Sequence, residues 1–230
     1  MLTFDKITLR RGDFTLHADF HVKEGTKTAI IGPSGAGKST LLDLVSGFLA
    51  PASGNLLWQG QDITDAPPGD RPLSLLFQDN NLFPHLTIAQ NIGLGLRPNL
   101  RLSTAEETQV QSALTRVGLT DMGPRKPAAL SGGQQSRAAL ARVLLRAKPL
   151  LLLDEPFSAL GPALKAEMLD LLEEVLSETK ATLLMVTHDP KDALRIADQT
   201  ILVADGQAQP PQDTKPLFNN PPQMLKNYLG

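Results

Sequence analysis

A glycine-rich segment at Gly32–Ser39, GPSGAGKS, constrains the fold of this chain more than any other feature. It fits the pattern G-x-x-x-x-G-K-[ST], and it lies between an apolar run of strand length and a helical pattern. In that setting the glycines let backbone N–H groups wrap a phosphate, the lysine reaches the outer phosphates of a nucleotide, and the final hydroxyl is offered to Mg²⁺. A glycine-rich turn with a coincidental lysine is the alternative, and the strand–loop–helix setting argues against it. The residues expected to contact the nucleotide are Gly32, Pro33, Ser34, Gly35, Ala36, Gly37, Lys38, Ser39 and Thr40.

Apolar runs of strand length alternate with helical patterns along most of the chain. The runs are continuous rather than alternating, which is typical of a parallel sheet covered on both faces. The predicted strands are Thr26–Gly32, Pro72–Gln78, Pro149–Glu155, Ala181–Asp189 and Gln199–Gly206. The predicted helices are Lys38–Gly47, Ser131–Ala147, Pro162–Lys180 and Pro190–Ala197. We therefore expect an α/β fold, a P-loop nucleotidase core with a mostly parallel sheet.

Two other stretches depart from this alternation. Residues 1–22 and 55–59 alternate polar and apolar positions, which indicates antiparallel strands at a sheet edge. From about residue 86 to residue 147 the strand signal vanishes, and Ser103-x-x-Glu106 predicts a capped helix start. We therefore expect one α/β domain over 1–206 with a helical subdomain inserted at about 86–147. The proline-rich, polar residues 207–230 predict a short C-terminal extension on the surface.

Composition excludes several classes of function. The formal net charge of −2 gives no electrostatic reason to expect nucleic acid as a partner. The absence of cysteine excludes a disulfide, a thiolate metal site and a cysteine nucleophile. The N-terminus lacks the apolar stretch of a signal peptide. The longest apolar run, Leu150–Leu153, is far shorter than the roughly 20 residues of a membrane-spanning helix. Any membrane role is therefore expected to act through a partner.

Two acidic residues, Asp154 and Glu155, follow a buried strand. The carboxyl ends of strands form the edge at which open α/β sheets bind ligands. We expect Asp154 to hold Mg²⁺ through water and Glu155 to polarise the water that attacks the nucleotide. Read alone, such a pair is more typical of a turn and a helix cap. The P-loop earlier in the chain favours the catalytic interpretation.

Two further polar side chains end strands on the same predicted edge. Gln78 closes LSLLFQ, and His188 closes LLMVTH. We expect both to be catalytic residues near the terminal phosphate, with Gln78 also a ligand of Mg²⁺. A lone glutamine or histidine at a strand end would ordinarily be a surface residue. Their position on the same predicted edge as the two phosphate motifs favours a catalytic role.

A second helix start is built to hold an anion. The stretch Leu130–Leu145, LSGGQQSRAALARVLL, predicts a paired-glycine turn that runs into an amphipathic helix. Free backbone N–H groups and the positive end of the helix dipole both point out of such a start. The residues expected to bind the anion are Ser131, Gly132, Gly133 and Gln134.

These motifs, in this order, resemble the ATP-binding cassette (ABC) family over residues 1–206. The resemblance implies a head-to-tail homodimer with two ATP molecules at its interface and Mg²⁺ as the cofactor. Each ATP would lie on the P-loop of one chain and be covered by the Ser131–Gln134 helix start of its partner. The second anion site would thus hold the γ-phosphate of the partner's nucleotide.

Within the family, the resemblance is closest to ATPase subunits of importers, above all thiamine importers. Iron, polyamine, molybdate and sulfate importers are the alternatives, and an exporter is less favoured. The stretch Gln78–Thr87 resembles the groove that grips a membrane permease, since NNLFPHLT joins apolar Leu82 and Phe83 to polar neighbours. An ordinary irregular loop is the alternative. The resemblance implies a peripheral protein on the cytoplasmic face of the inner membrane, with a substrate-binding protein as an indirect partner.

The chain departs from the family at two places. The family stacks adenine on an aromatic side chain near the N-terminus, but Leu9–Arg11 contains none. The guanidinium of Arg11 and the ring of Phe14 are the candidates for that contact. Gly161 stands where the family has an aspartate that reaches across the dimer toward the partner's P-loop, near Ser34. We therefore expect this chain alone to dimerise weakly with ATP.

Rival classes of P-loop protein lack support in the sequence. DNA-repair and chromosome-structure ATPases of the same superfamily carry a long coiled-coil or zinc insertion, and none is present between the P-loop and LSGGQ. Translation-associated relatives normally hold two cassettes on one chain, and small-molecule kinases lack LSGGQ. The ATPase subunit of a transporter is therefore the preferred interpretation.

Overall fold

The computed structural model describes residues 1–77 and 81–229 of the chain. The strands are β1 (Leu2–Arg11), β2 (Phe14–Val22), β3 (Lys27–Ile31), β4 (Ser53–Trp58), β5 (Gln61–Asp62), β6 (Leu73–Leu76), β7 (Leu150–Asp154), β8 (Thr182–Val186), β9 (Gln199–Ala204), β10 (Gln207–Ala208) and β11 (Gln212–Asp213). The helices are α1 (Lys38–Ser46), α2 (Ile88–Gly93), α3 (Thr104–Arg116), α4 (Gly132–Leu145), α5 (Pro162–Thr179), α6 (Pro190–Ile196), α7 (Thr214–Asn219) and α8 (Gln223–Leu229), with a 3₁₀ turn at Pro127–Ala129. The described residues form two compact units, one from 1–73, 149–154 and 180–229 and the other from 74–77, 81–148 and 155–179.

The first unit is built on one mixed sheet. Its strands follow the order β5-β4-β1-β2-β10-β9-β3-β8-β7, and β11 pairs with β9. Strands β9, β3, β8 and β7 pair in parallel, whereas β1, β2, β4 and β5 pair antiparallel. The residues of β8 are all buried, as its continuous apolar run predicts. The predicted α/β class, with a parallel core and antiparallel strands at one side of the sheet, is confirmed.

The parallel strands end level with one another. Ile30 of β3 pairs with Val186 of β8, and Val186 pairs with Asp154 of β7. The P-loop follows β3 directly, and His188 lies just beyond β8. The register therefore brings the P-loop, Asp154 and His188 to one edge of the sheet, as the sequence predicts.

A buried arginine holds the C-terminus of the P-loop helix α1. Arg71 is 2% exposed, and burial lowers the pKa of its guanidinium. The guanidinium donates hydrogen bonds to the carbonyl oxygens of Leu44, Val45, Thr64 and Ala66, at 2.6, 2.9, 2.8 and 2.8 Å. The last carbonyls of a helix lack hydrogen-bond donors within the helix. Arg71 provides the donors for two of them, those of Leu44 and Val45. The position of α1 therefore depends on a side chain that follows it by more than twenty residues.

The second unit contains α2, α3, α4 and α5. A buried apolar cluster holds the first three together and comprises Ile88, Ile92, Val110, Leu114, Val117, Leu119, Leu130, Ala138 and Ala141. Helices α2, α3 and α4 each begin with a capping box. The side chain of the N-cap residue accepts a hydrogen bond from the backbone N–H three residues later, and the side chain of that later residue accepts one from the backbone N–H of the N-cap residue. The boxes are Thr87/Gln90, Ser103/Glu106 and Ser131/Gln134. The Ser103 box predicted from the sequence is confirmed.

Residues 207–229 are more than a surface segment. They form β10, β11, α7 and α8, and Leu217 and Leu225 are only 5% and 1% exposed. Both leucines belong to an apolar cluster with Ile31 of β3 and Leu202 of β9. A few apolar side chains therefore anchor this polar, proline-rich segment to the sheet.

Candidate functional site

The P-loop combines an exposed turn with an inward-folded lysine. Pro33, Ser34 and Gly35 are exposed, whereas Lys38 is 8% exposed. The Lys38 ammonium donates to the carbonyl oxygens of Gly32 and Pro33, at 2.8 and 2.9 Å. A cation therefore lies within the turn that begins α1, where free N–H groups and the helix dipole also favour an anion.

The last turn of the P-loop needs glycine for two reasons. Gly37 precedes α1 with a φ of +101°, a backbone conformation that side-chain-bearing residues rarely adopt. A Cβ atom at Gly37 would also lie 2.6 Å from Cζ of Phe14. The ring of Phe14 thus packs directly against the backbone of the P-loop.

The predicted metal ligands Ser39 and Asp154 are brought together. The Ser39 hydroxyl donates to Oδ1 of Asp154 at 3.3 Å. Within residues 1–77 and 81–229, no group of three or more His, Cys, Asp or Glu side chains is gathered as a metal cage would require. Mg²⁺ does not need one, because it keeps several waters and usually takes one or two protein oxygens plus substrate phosphates. The pair therefore fits a Mg²⁺ ion that arrives with a nucleotide.

His188 is exposed on the same edge of the sheet, and the backbone beside it is anchored. The Thr187 hydroxyl donates to a carboxylate oxygen of Asp192 at 2.9 Å and accepts from the N–H of Asp189 at 3.1 Å. The Asp189 side chain in turn caps α6 by accepting from the N–H of Lys191 at 3.0 Å. The backbone that carries the His188 imidazole is therefore anchored on both sides of the residue.

Glu155 follows Asp154 in the chain with a φ of +45°, in the left-handed region. Such a conformation is uncommon for a residue other than glycine, and strained backbone of this kind clusters at active sites. The Glu155 carbonyl accepts from both the N–H and the hydroxyl of Ser158, at 3.3 and 3.1 Å. The backbone at Glu155 is therefore held by hydrogen bonds to its carbonyl oxygen, which do not involve its carboxylate.

The LSGGQ turn is a rigid and accessible helix start. The Ser131 hydroxyl accepts from the N–H of Gln134 at 3.3 Å, and the Gln134 side chain accepts from the N–H of Ser131 at 3.0 Å. Ser131 and Gly132 are exposed. Gly133 packs so closely on Leu164 of α5 that a Cβ atom would overlap the leucine side chain. The paired glycines thus leave backbone N–H groups open to an anion.

The comparison with known families accords with this geometry. The match to the family described as "ABC transporter" covers residues 16–158, which include the P-loop, LSGGQ and the acid pair. The chain belongs to the ABC transporter family.

ABC relatives match this chain along most or all of its length. The "Thiamine import ATP-binding protein ThiQ" of Cereibacter sphaeroides is 61% identical over 230 residues, all of both chains. The protein of the same name from Ruegeria sp. is 56% identical, again over the whole of both chains. The Yersinia pseudotuberculosis protein of that name is 54% identical over 207 residues, 90% of this chain and 88% of the relative.

Solved ABC structures share the fold. The ATP-binding cassette MJ0796, in a dimeric post-hydrolysis state bound to ADP and Pi, has a TM-score of 0.80 at 28% identity over 93% of this chain and 99% of its own. The structure of cbiO1 from Clostridium perfringens, part of the ABC transporter complex cbiONQ, has a TM-score of 0.84 at 30% identity over 95% of this chain and 90% of its own. None of the helices in the described ranges 1–77 and 81–229 has the length and apolar character to cross a membrane.

Three further residues predicted for the site are Gln78, Arg11 and Thr40. Gln78 lies outside the described residues. Arg11 is exposed, and its positive charge opposes the burial that raises the pKa of Asp43 on α1. Thr40 is 8% exposed. Sequence reasoning missed the capping role of Gln134, although S-x-x-Q is itself a capping-box signal.

The stretch before α2 is held by a buried asparagine. Asn91 is 0% exposed, and its side-chain oxygen accepts from the N–H of Phe83 at 2.7 Å. Its amide donates to the carbonyls of Phe83 and Thr87, at 3.1 and 3.0 Å. The Phe83 ring is 47% exposed and meets His85 edge-on, with centroids 6.0 Å apart. A rigid loop therefore presents an apolar ring to solvent.

Proposed function

We propose that this ABC protein binds and hydrolyses ATP and thereby energises thiamine import across the membrane. The observation that carries the ATPase assignment is the Ser39–Asp154 contact of 3.3 Å beside the Lys38 turn. The substrate assignment is supported by relatives named for thiamine import that match the whole chain at 61 and 56% identity. Iron, polyamine, molybdate and sulfate importers are the alternatives that the uptake experiment below separates, and an exporter is the less favoured one.

The first unit would hold the phosphates of ATP. Backbone N–H groups of Gly32–Thr40 would wrap the β-phosphate, and the Lys38 ammonium would exchange its carbonyl partners for phosphate oxygens. The Ser39 hydroxyl and Asp154 would hold Mg²⁺, which would supply charge neutralisation at the outer phosphates. Arg11, exposed at the end of β1, would contact the adenine.

Hydrolysis needs a base and a contact to the transferred phosphate. The Glu155 carboxylate would accept a proton from the attacking water. His188 would donate a hydrogen bond to the γ-phosphate, and Gln78 would help to orient the water. Each of these roles concerns the hydrolytic step rather than the binding of ATP, so each variant should lower turnover more than ATP affinity.

The functional unit would be a head-to-tail homodimer. The Ser131–Gln134 helix start would hold the γ-phosphate of the ATP on the partner's P-loop. The N–H groups of Gly132 and Gly133, which the capping box does not use, and the positive end of the 14-residue helix α4 suit that anion. Two helix starts in one chain then serve two different nucleotides.

Gly161→Asp is expected to strengthen ATP-dependent dimerisation and raise turnover. Gly161 occupies the N-cap of α5, since its carbonyl accepts from the N–H of Lys165 at 2.9 Å, and a Cβ there meets no atom within 4 Å. An N-cap aspartate should change the free energy of unfolding by only a few tenths of a kcal/mol relative to glycine. A new hydrogen bond that this carboxylate accepts from the partner's P-loop should stabilise the dimer by about 1.5–3 kcal/mol.

Sedimentation with ATP and steady-state hydrolysis would measure both effects. Gly161→Ala is the matched control, because it adds the Cβ without the carboxylate and should dimerise like the wild type. Equal dimerisation and turnover for Gly161→Asp and the wild type would show that position 161 is neutral in this chain.

The exposed loop around Phe83, within the stretch Gln78–Thr87, would dock onto a membrane permease. An exposed aromatic side chain on a braced loop suits burial against another protein. A substrate-binding protein outside the membrane would be an indirect partner. The chain would thus work as a peripheral protein on the cytoplasmic face of the inner membrane.

Phe83→Asp is expected to abolish recruitment to membranes that contain the permease, because the interface would have to bury an unpaired carboxylate. ATP affinity of the isolated chain should stay within about two-fold, since the side chain is exposed and remote in sequence from the P-loop. Leu194→Asp, which alters a leucine of α6 that is 42% exposed, is the matched control and should still be recruited. Normal recruitment of Phe83→Asp in a membrane flotation assay would contradict the docking assignment.

Uptake of labelled thiamine tests the transport function. Cells that lack this chain should lose uptake, the wild-type chain should restore it, and Lys38→Ala should not. Parallel uptake of iron, a polyamine, molybdate and sulfate covers the alternatives. Loss of one of those activities with normal thiamine uptake would overturn the substrate assignment.

A further inference from the structure

The last helix of the chain packs against the strand that carries the P-loop. Leu225 of α8 is 1% exposed and belongs to the apolar cluster that includes Ile31, the last residue of β3. Tyr228 lines a small cavity together with Gly32 and Pro33, where the P-loop begins. Helix α8 is therefore fixed beside the proposed phosphate site by buried apolar contacts.

From this position α8 also reaches His188. The Tyr228 hydroxyl donates to the backbone carbonyl of His188 at 2.7 Å, across 40 residues of sequence. This length lies at the centre of the range for O–H···O hydrogen bonds. Tyr228 is the only tyrosine in the sequence, so no other phenol hydroxyl could make this contact.

The Tyr228 contact completes the anchoring of the segment around His188. On one side Thr187 is bonded to Asp192, and on the other Asp189 caps α6. The Tyr228 hydroxyl holds the carbonyl of His188 itself. The backbone of the residue is fixed at these points while its imidazole is exposed at the sheet edge.

We propose that Tyr228 is a positioning residue for His188, holding the peptide so that the imidazole is presented to the γ-phosphate. The inference rests on the proposed ATPase function. A hydrogen bond formed in the transition state tolerates little misplacement, and errors of about 1 Å can lower rates by up to 100-fold. The C-terminal segment would thereby contribute to hydrolysis without touching ATP.

Tyr228→Phe in the full-length chain tests this role, because it removes the hydroxyl and leaves the packing ring. We expect kcat for ATP hydrolysis to fall about 2- to 10-fold, the range that one net hydrogen bond supports, with an unchanged KM and melting temperature. The matched control is Thr214→Val, which breaks the buried Thr200–Thr214 hydroxyl pair of 2.9 Å in the same C-terminal segment. That variant should lower the melting temperature and leave kcat unchanged.

A double-variant cycle distinguishes positioning from a general effect. In a His188→Ala background, Tyr228→Phe should cause no further loss, because its effect passes through His188. Losses that multiply in the double variant, or a fall in melting temperature equal to that of Thr214→Val, would overturn the proposal. If His188→Ala loses hydrolysis while Tyr228→Phe retains full kcat, the positioning role is wrong and the ATPase function stands. Full hydrolysis by His188→Ala would refute both the role of His188 and the role of Tyr228.

Discussion

Glu155→Gln is expected to hydrolyse ATP at least about 100-fold more slowly than the wild type, because an amide cannot accept the proton of the attacking water. Binding of ATP should be retained, since the phosphates are expected to be held by the P-loop rather than by this carboxylate. The fold should also survive, because the backbone at Glu155 is held by the N–H and hydroxyl of Ser158. Hydrolysis stalled after closure should let an ATP-bound dimer accumulate.

Steady-state hydrolysis and size exclusion with ATP measure these two effects. Glu107→Gln removes a carboxylate from the first turn of α3 and should leave hydrolysis unchanged, so it controls for the loss of one charge. Hydrolysis by Glu155→Gln at the wild-type rate would remove Glu155 from the catalytic residues.

Ser131→Arg is expected to bind ATP as a monomer but to lose ATP-dependent dimerisation and nearly all turnover. The arginine side chain would fill the space in front of the helix start that the partner's γ-phosphate needs. It would also break the capping box, which should destabilise the chain by about 1 kcal/mol. A separate control is therefore needed for the loss of the cap.

Ser103→Arg provides that control, because Ser103 forms the same kind of box with Glu106 at the start of α3. It should lose a similar amount of stability and still dimerise with ATP. Mixing Ser131→Arg with Lys38→Ala chains should restore at most one intact composite site per dimer. Full activity of Ser131→Arg alone would refute the sandwich arrangement.

The P-loop, the buried parallel strands and the capped start of α3 are predictable from short stretches of the sequence. The P-loop glycines, the continuous apolar strands and the Ser103 box each follow from the conformational needs of neighbouring residues. The placement of Asp154 and His188 at one sheet edge follows from parallel pairing, which those apolar runs indicate. These features were predictable because each is encoded within a short window.

Contacts between distant residues could not be predicted in this way. Arg71 caps α1, and Tyr228 reaches His188 across 40 residues, yet neither has a signal in its neighbours. The buried Leu217 and Leu225 were obscured by a polar, proline-rich composition. The fold of the C-terminal segment depends on the packing of Leu217 and Leu225 against residues of β3 and β9, which lie far away in the sequence.

The pairing of β3 determines when the chain becomes able to bind a nucleotide during its synthesis. The P-loop strand, Lys27–Ile31, has as its hydrogen-bonded neighbours β8 and β9, which span Thr182–Val186 and Gln199–Ala204. A nascent chain that has not yet emerged from the ribosome to residue 182 carries the P-loop sequence without a neighbouring strand to support it. Full support for the P-loop strand therefore requires synthesis to have passed residue 204, and a chain that ends before residue 182 would lack both neighbours of β3.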